Sequence, residues 1–241
     1  MPCKLEKSLK TLVSQCDNHG KISIPNVFSL FGDLASEHAP MIGLGSDVLA
    51  EKGLFWIAVR TKIKVRRLPL MNSDFLAESW PEAPGRVRCN RYYSLSDADG
   101  SLVEGKTEWA IINLESGRPQ KLSEVYPEEL IHLEDTVCDE DFHKLSDKFE
   151  DAALLGKYTV RSTDIDIGQH MNNAKYIHAL FGLFSTSELD EMDITDVEIN
   201  FRSQAYEGDE LSFYIRNSED GAREIGAIRP DGTVAATIRI A

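Results

Sequence analysis

Long apolar runs are missing from this chain. No stretch approaches the ~18 consecutive apolar residues of a membrane helix, so a helical membrane span is not expected. The opening residues, Met-Pro-Cys-Lys-Leu-Glu-Lys-Ser, are charged and hold no apolar segment, so no secretory signal is expected in them. Cysteine is scarce. The 4 present, Cys3, Cys16, Cys89 and Cys138, are scattered without metal-ligand spacing. They read as free thiols in a reducing compartment, not as a disulfide framework. No Cys/His cluster suits zinc, and no Gly-rich loop suits a phosphate, so neither a metal nor an organic cofactor is expected. Positive charge is also in deficit. With 26 Lys+Arg against 40 Asp+Glu the net charge is −14, which argues against a nucleic-acid partner. An acidic partner would need a local basic patch to offset that field.

What remains is the composition of a globular protein: 241 residues, 42% hydrophobic and 27% charged, enough for one large domain or two small ones. The element pattern favours two. After a short amphipathic start and a turn at Asp17-Asn18-His19-Gly20, Pro25 suits a first helical turn. Val27, Leu30, Phe31, Leu34 and Ala35 then repeat at helical spacing up to Pro40. Residues 47–52 fit a short helical turn. Strand-like segments follow at Leu54–Arg67, Asp74–Trp80, Arg86–Leu95 and Leu102–Asn113, the last pair joined by an Asp-Ala-Asp-Gly turn. Residues 114–150 are acidic and weakly periodic, with a short helix expected near 127–132.

The second half repeats that order. A strand at Lys157–Ser162 precedes a helix from Ala174 to Leu189. Strands then follow at Thr195–Ala205, Glu210–Asn217, Arg223–Arg229 and Thr233–Ile240. Ser29-Leu30-Phe31-Gly32 resembles Ala179-Leu180-Phe181-Gly182 at an offset of 150, which would set Gly20 opposite His170. The expected domains are 1–135, an acidic linker 136–156, and 157–241. In each domain a curved antiparallel sheet would wrap a central helix.

Chemistry concentrates in Thr163-Asp164-Ile165-Asp166-Ile167-Gly168-Gln169-His170-Met171-Asn172-Asn173, where a strand turns into a helix. Backbone N–H groups of a first helical turn lack intrahelical partners and can stabilise developing negative charge. Asp166 can position or deprotonate water, or attack directly. His170 can act as general acid and base near neutral pH. Asp164 fits a structural role, and Asn172 and Asn173 are N-cap residues.

These residues and their surroundings resemble the acyl-acyl-carrier-protein thioesterases. The resemblance rests on Gly53-Leu54-Phe55-Trp56-Ile57-Ala58-Val59-Arg60 through Leu68-Pro69, on Glu108-Trp109-Ala110-Ile111-Ile112-Asn113, and on the turn from Asp164 to Ile177. It implies an α+β tandem (double) hot-dog that hydrolyses fatty acyl-acyl-carrier protein. The implied partner is an acyl carrier protein with its phosphopantetheine-linked acyl chain; a homodimer is open. Without a transit peptide, the expected location is bacterial cytoplasm.

The family pattern sets an aspartate, an asparagine and a histidine on alternate turn positions, and a glutamate on the next long strand. Asp166 and His170 match. Gly168 stands at the asparagine position and Gln204 at the glutamate position, where it can hydrogen-bond water or His170 but cannot act as a base. Glu207, beside Gly208, fits a solvated turn. The first hot-dog would hold the acyl chain, with Phe31, Leu34, Met41, Trp56 and Trp109 as wall candidates. The strand face Arg60, Lys62, Lys64 and Arg66 is the candidate docking surface for an acidic carrier. An acyl-CoA thioesterase on the same fold and a non-hydrolytic acyl-binding protein are the alternatives.

Overall fold

The structure, a computed structural model, describes residues 3–241. It divides into two compact units, the first formed by residues up to Ser23 and by Ser29–Glu140, the second by Ile24–Phe28 and Asp141–Ala241. The first unit contains strand β1 (Leu5–Lys10), helix α1 (Ile24–Met41) from Ser29 onward, helix α2 (Ser46–Glu51), and strands β2 (Leu54–Val65), β3 (Asp74–Pro81), β4 (Cys89–Asp97) and β5 (Gly100–Asn113). The second contains β6 (Ala153–Thr159), α3 (Asn173–Phe181), α4 (Thr186–Asp190), β7 (Asp196–Phe201), β8 (Glu210–Asn217), β9 (Arg223–Ile228) and β10 (Val234–Ile240).

Strand order is β1-β3-β4-β5-β2 in the first unit and β6-β8-β9-β10-β7 in the second, antiparallel within each. These are one topology used twice: first, third, fourth, fifth, second strand. The fold is the tandem hot-dog.

In the first unit α1 packs through Phe31, Leu34, Ala35 and His38, all buried. The Phe31 ring stacks on Tyr93 of β4, with centroids 4.4 Å apart. It also lies where a β-carbon on Gly105 of β5 would sit, 2.4 Å from Phe31 Cε2. A side chain at 105 would therefore push the helix off the sheet. In the second unit Tyr176 of α3 meets Phe201 of β7 edge-on at 5.9 Å. No helix among the described residues is long and apolar enough to cross a membrane.

Several local expectations are corrected. The amphipathic start is an edge strand, β1, registered along β3 from Leu5↔Ser79 to Lys10↔Asp74. The helix expected from Ala174 to Leu189 stops at Phe181, with Gly182 as its C-cap. Ser185 then caps α4, accepting from Glu188 N–H while the Glu188 carboxylate accepts from Ser185 N–H. That reciprocal pair is a capping box, and a box of this kind marks a new helix start. No helix forms at 127–132; a single 3-10 turn lies at Leu122–Glu124 instead.

The acidic segment is docked. In the first unit Trp80 Nε1 donates to Asp135 O at 2.8 Å, Lys106 Nζ donates to Glu140 O at 2.6 Å, and Cys138 is buried. In the second unit Glu198 Oε2 accepts from His143 N–H at 3.0 Å, Arg202 pairs with Asp147 at 3.0 Å, and Phe149 seats over Gly226. Arg216 donates to Lys148 O at 3.0 Å and pairs with Asp151 at 2.9 Å.

Candidate active site

The turn before α3 is built by backbone hydrogen bonds. Asp166 N–H donates to His170 O at 3.1 Å, and Gln169 N–H to Asp166 O at 3.0 Å. Gly168 N–H donates to Asp166 Oδ1 at 2.8 Å, and Ile165 bridges Met171. Gln169 takes a left-handed conformation, φ 62°. Ile167 is exposed at the tip.

The first unit holds the same turn. Asp17 N–H donates to Lys21 O at 2.8 Å, Gly20 N–H to Asp17 O at 3.1 Å, and His19 N–H to Asp17 Oδ1 at 2.9 Å. Gly20 has φ 69°, and Cys16 bridges Ile22. The two turns therefore correspond at an offset of 149, not 150. Asp17 matches Asp166, Gly20 matches Gln169, and Lys21, rather than Gly20, stands opposite His170. A carboxylate is thus part of how this turn folds in both units; a histidine at the position of His170 is confined to the second, the first unit's His19 standing at the position of Gly168.

Around this frame the other polar residues separate by role. Asp164 is buried and accepts from the Tyr158 hydroxyl at 2.7 Å and from Arg161 N–H at 2.8 Å. Burial, reinforced by that carboxylate, pushes the Tyr158 phenol up to about 12. Asn172 is the N-cap of α3, its side chain accepting from Ala174 N–H at 2.9 Å, and Asn173 opens the helix. Neither carboxamide has contact with Asp166 or His170 among the hydrogen bonds of the turn.

Asp166 and His170 come together. Nδ1 lies 3.9 Å from Asp166 Oδ1, with side-chain exposures of 14% for His170 and 26% for Asp166. Nδ1 also lies 3.4 Å from Met171 O. With Asp166 Oδ1 held by Gly168, Oδ2 is the oxygen left to engage a ligand. Met171 N–H donates to Ala205 O at 2.8 Å, which ties the turn to the loop carrying Gln204. Gln204 does not meet the imidazole. It is exposed, and its Oε1 accepts the Tyr206 hydroxyl at 2.8 Å. Tyr206 is the residue sequence reasoning missed here; only its spacing from Gln204 hinted at the contact. Glu207 is exposed beside Gly208, φ 88°, as a solvated turn requires.

The cations of the basic strand face are paired within the first unit. Lys62 is 1% exposed and lies 3.6 Å from Glu140, Lys64 pairs with the same carboxylate, and Arg60 pairs with Glu108 at 2.9 Å. Arg66 lies 3.7 Å from Glu104. Of these cations, Lys62 and Lys64 are engaged by Glu140 of the acidic segment, whereas Arg60 and Arg66 face carboxylates of β5 and Arg66 stays 65% exposed. Among the wall candidates Phe31 and Leu34 are buried, whereas Met41 is 46% exposed and lines no interior. Trp56 donates to Leu44 O at 3.0 Å and meets Trp109 edge-on at 6.1 Å.

Family comparison matches the acyl-ACP thioesterase N-terminal domain over residues 2–130 and the acyl-ACP thioesterase C-terminal domain over residues 148–241. The chain belongs to the acyl-ACP thioesterase family. The interval between the two matched regions is the docked acidic segment. A chloroplastic acyl-[acyl-carrier-protein] hydrolase of Cuphea viscosissima is 25% identical over 195 residues, covering 76% of this chain and 47% of the relative. An Arabidopsis thaliana oleoyl-acyl carrier protein thioesterase is 23% identical over 208 residues, 78% of this chain and 56% of the relative. The chain thus spans about half the length of the curated relatives it matches. An acyl-ACP thioesterase structure from Bacteroides thetaiotaomicron superposes with TM-score 0.84 at 21% identity, covering 98% of this chain and 96% of the other. The 12:0-ACP thioesterase from Umbellularia californica gives 0.81 at 18%, covering 100% and 97%. At these identities the two structures establish the acyl-ACP thioesterase family fold.

Proposed function

We propose that the chain hydrolyses the thioester of a fatty acyl chain carried on the phosphopantetheine arm of an acyl carrier protein, releasing free fatty acid and ending elongation. The observation that carries this reading is the Asp166–His170 pair at the start of α3 in a member of the acyl-ACP thioesterase family. In the proposed reaction Asp166 Oδ2 and His170 hold a water, and His170 takes its proton as the oxygen attacks the thioester carbonyl. Backbone N–H groups of the first turn of α3 stabilise the oxyanion. As the C–S bond breaks, His170 returns the proton to the departing thiolate, giving thiol and fatty acid.

Gly168 supplies no side chain and Gln204 no base, so Asp166 is the carboxylate of this site. The first unit, with Phe31, Trp56 and Trp109, is proposed to receive the acyl chain. The same chemistry on acyl-CoA is the nearest alternative. The occupied Gln204 carboxamide favours a second reading, an acyl-binding protein without turnover. Thiol release from acyl-carrier and acyl-CoA panels across chain lengths separates them. Release from acyl-carrier substrates above that from CoA esters is expected. No release above background with any thioester would refute the enzyme.

A further inference from the structure

The loop that Met171 holds through Ala205 has a counterpart in the first unit, matched bond for bond. Met171 N–H donates to Ala205 O at 2.8 Å, as Ile22 N–H does to Pro69 O at 2.9 Å. Val160 N–H donates to Asp209 O at 2.9 Å, as Thr11 N–H does to Ser73 O at 3.1 Å. Gly208 N–H donates to Val160 O at 3.0 Å, as Asn72 N–H does to Thr11 O at 2.9 Å. Gly208, φ 88°, and Asn72, φ 63°, are both left-handed. Gln204 therefore matches Leu68, and Tyr206 matches Leu70. Leucines suffice for this backbone. The amide and the phenol accompany only the loop beside His170, so the fold does not call for them.

Tyr206 is fixed from more than one side. Its N–H donates to Asp209 Oδ2 at 2.9 Å, and the same oxygen pairs with Arg229 Nε at 3.1 Å. The Arg229 guanidinium lies 5.6 Å from the centroid of the Tyr206 ring. From this seat the hydroxyl donates to Gln204 Oε1 at 2.8 Å. That bond decides which end of the amide is available. Oε1 is occupied, whereas Nε2, with two N–H donors, has no partner among the described residues.

The helix start has few donors to add. Asn172 Oδ1 takes the Ala174 N–H at 2.9 Å, and Asn172 O takes the Lys175 N–H at 2.9 Å. The Asn173 N–H is the one left open among the described residues of this first turn. Side-chain amides serve beside backbone N–H groups in stabilising the oxyanions of acyl transfer.

We infer that Gln204 Nε2 donates to the thioester carbonyl oxygen together with the Asn173 N–H, and that Tyr206 is the positioning residue that turns the amide this way. The inference rests on the proposed hydrolysis and names two further groups of the same site. Gln204 strengthens its hydrogen bond as charge builds on the oxygen and gives up no proton. The water's proton still passes through His170.

The test begins with Gln204→Glu, which keeps the side-chain length and an acceptor for Tyr206 but replaces the N–H donors with an oxygen. Its kcat on an acyl-carrier thioester should fall about 10²-fold with KM little changed. Tyr206→Phe frees the amide to turn and should lower kcat as well. Added to Gln204→Ala, Tyr206→Phe should cost nothing further, because the group it positions is gone. A phenol needed only for folding would cost the same in both backgrounds. Gln204→Glu as fast as wild type, or faster, overturns the inference. So does a Tyr206→Phe effect that is absent in the wild type or undiminished in Gln204→Ala. If the wild-type protein cleaves no thioester, the hydrolysis reading fails while the donor stays measurable. Calorimetry then compares an acyl-carrier amide analogue, which keeps the carbonyl, with a thioether analogue that lacks it. Tighter binding of the amide, lost in Gln204→Ala, sustains the inference. Equal binding, or a preference that survives Gln204→Ala, overturns it.

Discussion

Replacing Asp166 with asparagine separates the two roles that this residue combines. Asparagine keeps an oxygen where Oδ1 accepts the Gly168 N–H, so the turn retains its side-chain bond, 2.8 Å in the native protein. What disappears is a negative charge 3.9 Å from His170 Nδ1. At that separation a unit charge pair is worth about 1 kcal/mol in bulk water and about 4 kcal/mol at an effective dielectric of ~20. Both side chains are partly exposed, so the effect on an imidazolium formed during catalysis falls between those limits. Losing acid–base positioning adds to it, and the expected fall in kcat is about 10²–10³. The first unit supplies the control. Asp17→Asn alters a turn with the same backbone bonds but with lysine opposite His170, and should leave turnover unchanged. Thiol-release kinetics with thermal unfolding of both variants makes the measurement. Near wild-type kcat in Asp166→Asn, or an equal loss in Asp17→Asn with both proteins folded, would refute the assignment.

Other substitutions probe the scaffold. Gly105→Ala should destabilise the first unit by about 1–3 kcal/mol in urea unfolding, because its new methyl meets Phe31. Trimming that ring with Phe31→Leu in the same chain should recover part of the loss, giving a non-additive double-mutant cycle. Asp164→Ala should cost about 2–3 kcal/mol by stranding the Tyr158 hydroxyl and Arg161 N–H; an unchanged unfolding midpoint contradicts the buried network. The Lys64 ammonium bound to Glu140, with Lys62 nearby, holds the Glu140 carboxyl below its ordinary 4.5. A depressed folded value means that the contribution is present above the ordinary carboxylate range and fades as pH falls through the lowered value. Hydrogen-exchange protection over residues 136–147, corrected for the intrinsic pH dependence of amide exchange, should therefore hold above the ordinary carboxylate range and fall as the pH drops through the lowered value. In Glu140→Gln that acid-dependent step should vanish, and its persistence would assign it to another group.

Periodicity revealed most of the architecture. Strands such as Glu210–Asn217 emerge at their observed bounds because alternation and turn residues agree. The α3–α4 break was also legible, in Ser185 and Glu188, but the apolar run Leu183-Phe184 masks it by continuing the helical pattern. β1 is short and one-third lysine, so its alternation is faint; pairing with β3 supplies what propensity does not. At the site, the Asn172 cap follows from residue type and spacing, whereas Asp166 and His170 stand out through the resemblance to the family. Tyr206 on Gln204 and Glu140 over Lys62 follow from neither. The first depends on side-chain direction within a loop, and the second on a contact spanning from β2 to a segment with no periodicity. Composition showed a basic strand and an acidic segment as separate features; tertiary structure makes them one.

That union bears on how fast the protein meets its partners. Formal charge is −14, and the lysines of β2 are already engaged by Glu140. An acidic partner therefore approaches through a repulsive far field without help from this strand. Added salt shortens the reach of that field, about 10 Å at 0.1 M, so encounter with such a partner should speed up as ionic strength rises. The usual acceleration at low salt, which comes from complementary charge, would be reversed.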